Sequence, residues 1–217
     1  MRSGVHAQYG DPAELRARLR HIYWIGGGSG AGKSAVATRL AARHGLTVYS
    51  TDHAMADHAR RSGRGEAPYL FEFLEMTMDE RWVDRTPEVM LESFHWFRGE
   101  GFGAIVDDVL ELPDRTVAEG FRLLPDLVAP LLTDPARAIW LLPSPRFRRR
   151  VFADRGWEIP HRTSEPERAR RNLLRRDEMF TDRLRADLSR LGLPVLEVDG
   201  SMTADAATDL VARVFDM

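Results

Sequence analysis

The segment Gly26-Gly27-Gly28-Ser29-Gly30-Ala31-Gly32-Lys33-Ser34 constrains this chain more than any other. So much glycine takes one shape only where its flanks hold it. Ahead of it, His21-Ile22-Tyr23-Trp24-Ile25 reads as a short apolar strand. Behind it, Val36, Ala37, Leu40 and Ala41 recur at helical spacing, and Gly45 suits a helix C-terminus. A strand that turns through glycines into a helix is the repeating unit of a parallel α/β sheet. The rest of the chain continues the alternation. Leu46-Thr47-Val48-Tyr49, residues 115–120, residues 136–142 and Pro194–Val198 read as further strands, and a last helix follows Thr203. The expected architecture is a five-stranded parallel sheet sandwiched by helices.

Gly27-x4-Gly32-Lys33-Ser34 matches the Walker A pattern in full, in the strand-to-helix context that the pattern requires. Glycines let the backbone curl with its N–H groups turned inward, and the helix N-terminus adds partial positive charge, so the loop suits phosphate. Gly27, Gly28, Ser29, Gly30, Ala31, Gly32, Lys33 and Ser34 are therefore the expected triphosphate cradle. Lys33 would meet the β- and γ-phosphates and Ser34 would ligate Mg²⁺. Gly26-x-Gly28-x-x-Ala31 also fits a loose dinucleotide fingerprint. A short-chain reductase, however, wants a second lysine, and Lys33 is the only one among 31 Lys and Arg residues. Such a bias retains lysine where arginine would not serve, as between two phosphates.

Composition narrows the class. At 43% hydrophobic and 29% charged residues, with a net charge of −2, the 217 residues suit one globular domain and argue against a general nucleic-acid or membrane-surface binder. The absence of cysteine excludes disulfides and thiolate metal sites. No apolar run approaches the ~20 residues of a membrane helix, and Met1–Gly10 lacks a leader-like apolar stretch. A cytoplasmic protein, monomeric or homodimeric, is expected.

The core is assigned to residues 20–52, 114–142 and 164–217, an acceptor-binding helical insert to 53–113 and an Arg-rich lid to 143–163. Asp11 and Pro12 open a short helix before the core. Residues 104–108 fit either a Walker B strand or a helix, and the 3.6-residue spacing of Phe102, Ile105, Val106 and Val109 favours helix. Ser164-x-x-Glu167 reads as a capping box for a long helix. Asp52 and Glu119 close strands two and three, at the edge that adjoins the glycine loop. Asp52 is the candidate proton acceptor and, through water, Mg²⁺ ligand; Glu119 is a candidate for the Mg²⁺ shell or the acceptor. Arginines of the lid and of the helix after it would stabilise a transferred phosphoryl group, and Arg171 and Arg175 share one helical face. His53, Asp57 and His58 raise a transition-metal reading, which an Mg²⁺ enzyme does not need. Tyr69, Phe71, Phe73, Trp82, Phe94 and Trp96 belong to the core or to an acceptor wall.

On the Gly27–Ser34 loop, the strand-end Asp52, Glu119-Gly120, the Arg-rich lid and Val198-Asp199-Gly200-Ser201, the chain resembles the P-loop small-molecule kinases of the nucleoside-monophosphate-kinase-like group. That group includes shikimate and gluconate kinases and chloramphenicol phosphotransferase. The resemblance spans nearly the whole chain, and its specific part is the Walker A segment. It implies strand order 2-3-1-4-5, Asp52 as base, and Gly200 and Ser201 beside the nucleotide base. It also implies an O-phosphotransferase that uses ATP or GTP with Mg²⁺ on a small hydroxylated acceptor. No shikimate-type acceptor signature is present. The long aromatic insert suits a bulky acceptor, such as a nucleoside, a secondary metabolite or an antibiotic in a self-resistance role. Rival readings are a nucleoside or nucleotide kinase, with Arg60, Arg61 and Arg64 for a second phosphate, and a non-kinase ATPase or GTPase regulator. An Asn-Lys-x-Asp guanine reader is impossible with one lysine.

Overall fold

The computed structural model describes residues 9–217; the leader-less reading of the first residues falls largely outside them. Five strands, β1 (Ile22–Gly27), β2 (Thr47–Ser50), β3 (Thr116–Glu119), β4 (Ala138–Pro143) and β5 (Val195–Val198), form one sheet in the order β2-β3-β1-β4-β5. All four pairings are parallel. The three inner strands are buried almost throughout, whereas β2 and β5 at the edges are half-exposed. This is why β1 and β4 read as continuous apolar runs and β5 alternates with Glu197.

Helices cover both faces. They are α1 (Pro12–Leu19), α2 (Lys33–His44), α3 (Met55–Arg61), α4 (Pro68–Glu75), α5 (Met78–Trp82), α6 (Pro87–Ser93), α7 (Phe102–Leu110), α8 (Pro125–Val128), α9 (Pro145–Arg155), α10 (Glu158–His161), α11 (Pro166–Leu191) and α12 (Ala204–Val214). The period-2 alternation of the strands sorts the core into two layers. On one face Trp24, Ala118, Trp140 and Leu142 pack with Leu15, Phe102, Val106, Phe180 and Leu184. On the other, Ile25, Val117, Ile139 and Leu141 pack with Val36, Leu40, Val211 and Phe215. Trp140 is fully buried, and its indole N–H donates to the Leu123 carbonyl at 2.7 Å. A Cβ at Gly26 would collide with that indole, so β1 carries glycine where Trp140 crosses it.

Residues 104–108 lie in the helix α7, as the apolar spacing predicts. The long helix departs from expectation. Pro166 occupies the first helical position of α11, so Glu165 is the N-cap and makes no side-chain cap bond. Ser164 instead donates its backbone N–H to Asp79 at 2.8 Å. A capping box does occur at α5, where Thr77 and Glu80 satisfy each other's backbone N–H. The fourth strand starts at Ala138, because Asp134 caps a 3₁₀ turn over Pro135–Arg137. The segment expected as a lid is mostly helical, in α9 and α10. Among the described residues, no helix is long and apolar enough to cross a membrane.

Candidate functional site

Parallel strands end on one edge of the sheet, so three strand ends meet there. Gly28 N–H donates to Leu141 O, Gly120 N–H to Ile25 O, and Thr51 N–H to Glu119 O, at 2.9–3.1 Å. These bonds hold the glycine loop, Glu119-Gly120 and Thr51-Asp52 side by side. In the loop, Gly27, Gly30 and Gly32 have φ of 127°, 80° and 84°. An L side chain is strained in that region. At Gly27 a Cβ would also collide with the Leu141 backbone.

Lys33 opens α2 and is buried; its Nζ donates to the Gly28 carbonyl at 3.0 Å. Burial pushes its ammonium below the usual lysine range. The carboxylates of Asp52 and Glu119 oppose that shift, and the cations Arg148 and Arg155 add to it. Ser34, the next residue, is exposed. Glu119 is 1% exposed; its Oε1 accepts from the Ser50 hydroxyl at 2.6 Å, while Oε2 is buried with no hydrogen-bond partner among the described residues. A buried carboxylate oxygen left in this state costs free energy unless a cation or water meets it. Gly120 sits at φ 149°, where a Cβ would collide with Thr51 Oγ1 and lie 3.0 Å from Asp52 Oδ1. Glycine there lets β3 end against Asp52.

Of the Arg-rich segment, Arg148 is the residue turned inward. It is 1% exposed, donates from Nε to the Ser29 carbonyl at 3.2 Å and bonds the Thr181 hydroxyl. Burial lowers its pKa against the pull of Asp177 and Glu178. Arg171 and Arg175, the sequence choices, are exposed. With Arg148 and Arg149 they line a separate hollow of about 260 Å³, and Arg175 pairs with Glu178 at 3.1 Å. The cations whose charge reaches Lys33 are instead Arg148 and Arg155. After β5, Asp199 accepts from the Ser201 N–H at 2.9 Å and its hydroxyl at 2.6 Å. A Cβ at Gly200 would collide with Arg150 and Phe147, so this loop packs closely on α9.

Behind Asp52 lies a buried network that the sequence did not disclose. Arg122 is 2% exposed and donates to Thr51 O at 3.3 Å, Gly101 O at 3.1 Å and His58 Nδ1 at 2.8 Å, with its guanidinium 4.0 Å over the Trp96 ring. Nδ1 therefore accepts, and Nε2–H of His58 donates to Asp108 at 2.8 Å. Tyr49 and Arg61 also donate to Asp108, at 2.6 and 2.7 Å. Burial alone would raise the Asp108 pKa, but these three donors hold it below the usual range. Burial lowers His58, and pushes Arg122 down to about 10. His58 is thus a neutral structural histidine. Asp57 pairs with Arg60 and Arg61, and no group of three or more metal-capable side chains occurs among the described residues. One signal could have found Arg122: it follows the strand-end Glu119-Gly120 by two residues.

A second cavity, of about 310 Å³, opens from the glycine loop at Ser29 into the insert. Its walls include Phe73, Trp82, Phe94 and Trp96, four of the aromatics singled out in the sequence, with Phe152 and Trp157 from the Arg-rich segment.

No family model matches this chain, and no curated protein matches it. Among solved structures, it is similar to an uncharacterized protein from Eubacterium ventriosum ATCC 27560, at 18% identity and a TM-score of 0.44, over 90% of this chain and 98% of that one.

Proposed function

We propose that the chain is a Mg²⁺-dependent phosphotransferase that moves the γ-phosphoryl group of ATP or GTP onto a hydroxyl of a small molecule. One observation carries this reading: a complete phosphate-loop sequence whose buried lysine lies within the field of two strand-end carboxylates. The glycine loop ahead of α2 would supply backbone N–H donors, and the helix N-terminus partial positive charge, for a triphosphate. Lys33 would meet the phosphates in place of its bond to Gly28. Ser34, with Glu119 and Asp52 through water, would hold Mg²⁺; the unpartnered Glu119 oxygen fits that role. The ion would neutralise charge on the phosphates. Gly200 and Ser201, packed on Arg150 and Phe147, would border the nucleotide base.

In the transfer, the acceptor oxygen bonds to the γ-phosphorus while the bond from that phosphorus to the β–γ bridging oxygen breaks. The acceptor's proton goes to the Asp52 carboxylate, and the nucleoside diphosphate leaves. Arg148, fixed by Ser29 and Thr181, would stabilise charge on the transferred group. The nucleotide-kinase alternative draws less support, because Arg60, Arg61 and Arg64 are already matched to Asp57, Asp108 and Glu75.

The test is nucleoside-diphosphate release from MgATP or MgGTP with and without a panel of hydroxylated acceptors, beside Asp52→Asn. Acceptor-dependent release that is lost in Asp52→Asn is expected. Release that ignores every acceptor, or survives Asp52→Asn unchanged, favours the ATPase or GTPase regulator.

A further inference from the structure

The cavity beside Ser29 has a chemistry of its own. Its volume of about 310 Å³ is roughly twice the ~150 Å³ that accommodates one benzene ring. Edge-on contacts order its wall: Phe73 meets Trp82 and Phe94 at centroid distances of 5.4 and 5.5 Å. Across it, Trp157 stacks on Phe152 at 4.3 Å. Such walls favour flat rings, which gain contact area and ring–ring energy together.

The polar groups of the wall are few and specific. Arg176 and Asp177 are both buried and pair at 2.7 Å, so their charges cancel. Arg176 Nη1 remains buried with no hydrogen-bond partner among the described residues, and so does His95 Nδ1. His95 is 2% exposed. Burial, with the nearby charges of Arg122 and Arg81, pushes its pKa down to about 3, so it is neutral. The cavity wall thus holds no cation without its own counter-charge. An anionic ligand would bury an unmatched charge, which is strongly unfavourable. A neutral ligand with one hydrogen-bond acceptor would satisfy Arg176 Nη1 without burying an unmatched charge.

We propose that this cavity is the acceptor site and takes an uncharged, planar two-ring aromatic or heteroaromatic alcohol. Its rings lie between Phe73, Trp82 and Phe94 and the Trp157 side, a ring substituent or heteroatom accepts from Arg176, and the hydroxyl is directed toward Ser29. The assignment of this ligand as acceptor rests on the phosphotransferase reading; the assignment of the cavity does not.

Two readouts separate those claims. The first is binding without nucleotide, followed by tryptophan fluorescence and calorimetry. The probes are 2-(6-methoxy-2-naphthyl)ethanol, 2-(quinolin-6-yl)ethanol, 2-(4-methoxyphenyl)ethanol, 2-naphthylacetate and gluconate. The second is nucleoside-diphosphate release with the same compounds. The two-ring alcohols are expected to bind at least about tenfold more tightly than the one-ring alcohol and the carboxylate. Trp157→Ala, at the half-buried rim, is expected to weaken them about tenfold and leave MgATP affinity unchanged. His95→Gln serves as a second variant that keeps a hydrogen-bonding group. Equal or tighter binding of 2-naphthylacetate, or transfer to gluconate with no binding of the two-ring alcohols, overturns the proposal. Two-ring binding that responds to Trp157→Ala, without diphosphate release from any acceptor, keeps the cavity assignment and removes the phosphotransferase reading.

Discussion

Acid should destabilise this protein through His95, and the size of the effect follows from its burial. The imidazole sits among Phe73, Phe94 and Trp96, at ring-centroid distances of 4.3–5.0 Å. Burial, then Arg122 and Arg81, depress its pKa from 6.5 to about 3. The native state therefore refuses a proton that the unfolded chain accepts. For a base with a depressed native pKa, the contribution is fully present above 6.5 and is lost as pH falls from there toward 3. At pH 5.0 the unfolded state gains RT ln(1 + 10^1.5), about 2 kcal/mol, from this one group. With a urea slope of about 2 kcal/mol/M, His95 alone moves the unfolding midpoint down by about 1 M between pH 7.5 and pH 5.0. Urea unfolding of the wild type and of His95→Gln at both pH values measures this. Gln does not titrate, so the pH-dependent difference should shrink by about 2 kcal/mol in the variant. His58, also depressed by burial, is common to both proteins and cancels. An identical pH difference in the two proteins would refute the reasoning.

Other predictions concern the sheet edge. Gly120→Ala places a Cβ into Thr51 Oγ1 at φ 149°, so it should cost about 2–4 kcal/mol and abolish transfer by displacing Asp52; urea unfolding and diphosphate release check both. Glu119→Gln removes a buried charge with one unpartnered oxygen. It should leave stability equal or slightly higher, yet weaken Mg²⁺-dependent nucleotide binding at least about tenfold. Calorimetry with and without Mg²⁺, beside a urea titration, reads both signs.

Much of the architecture was legible because the sheet is built from strongly patterned pieces. The apolar runs His21–Ile25 and 136–142 read as strands, the 3.6 spacing over 102–109 favours helix over a Walker B strand, and α/β topology follows from their alternation. The placement of Asp52 and Glu119 at one edge was legible for the same reason: a parallel sheet delivers every strand end to one edge. Residues whose role depends on distant partners were hidden. Arg148 and Arg176 look like any other arginine in an Arg-rich stretch, and only packing against Thr181 or Asp177 distinguishes them from Arg171 and Arg175. His58 sits at metal-like spacing with its neighbours, but the reach of Arg122 and Asp108 from two other elements makes it a structural group. The Ser164 capping box failed because Pro166 already satisfies the geometry of a first helical residue. Phe94-His95-Trp96-Phe97 did carry a signal: a histidine inside an aromatic run is hard to solvate.

The central claim is that Lys33 and its loop hold a triphosphate. Calorimetric titration of the protein with MgATP and MgGTP, beside Lys33→Met, tests it most directly. Saturable one-to-one binding is expected, weakened at least about 30-fold in the variant, which corresponds to the loss of about 2 kcal/mol in charge-assisted hydrogen bonds. Absence of binding to the wild type, or equal affinity in Lys33→Met, would contradict it.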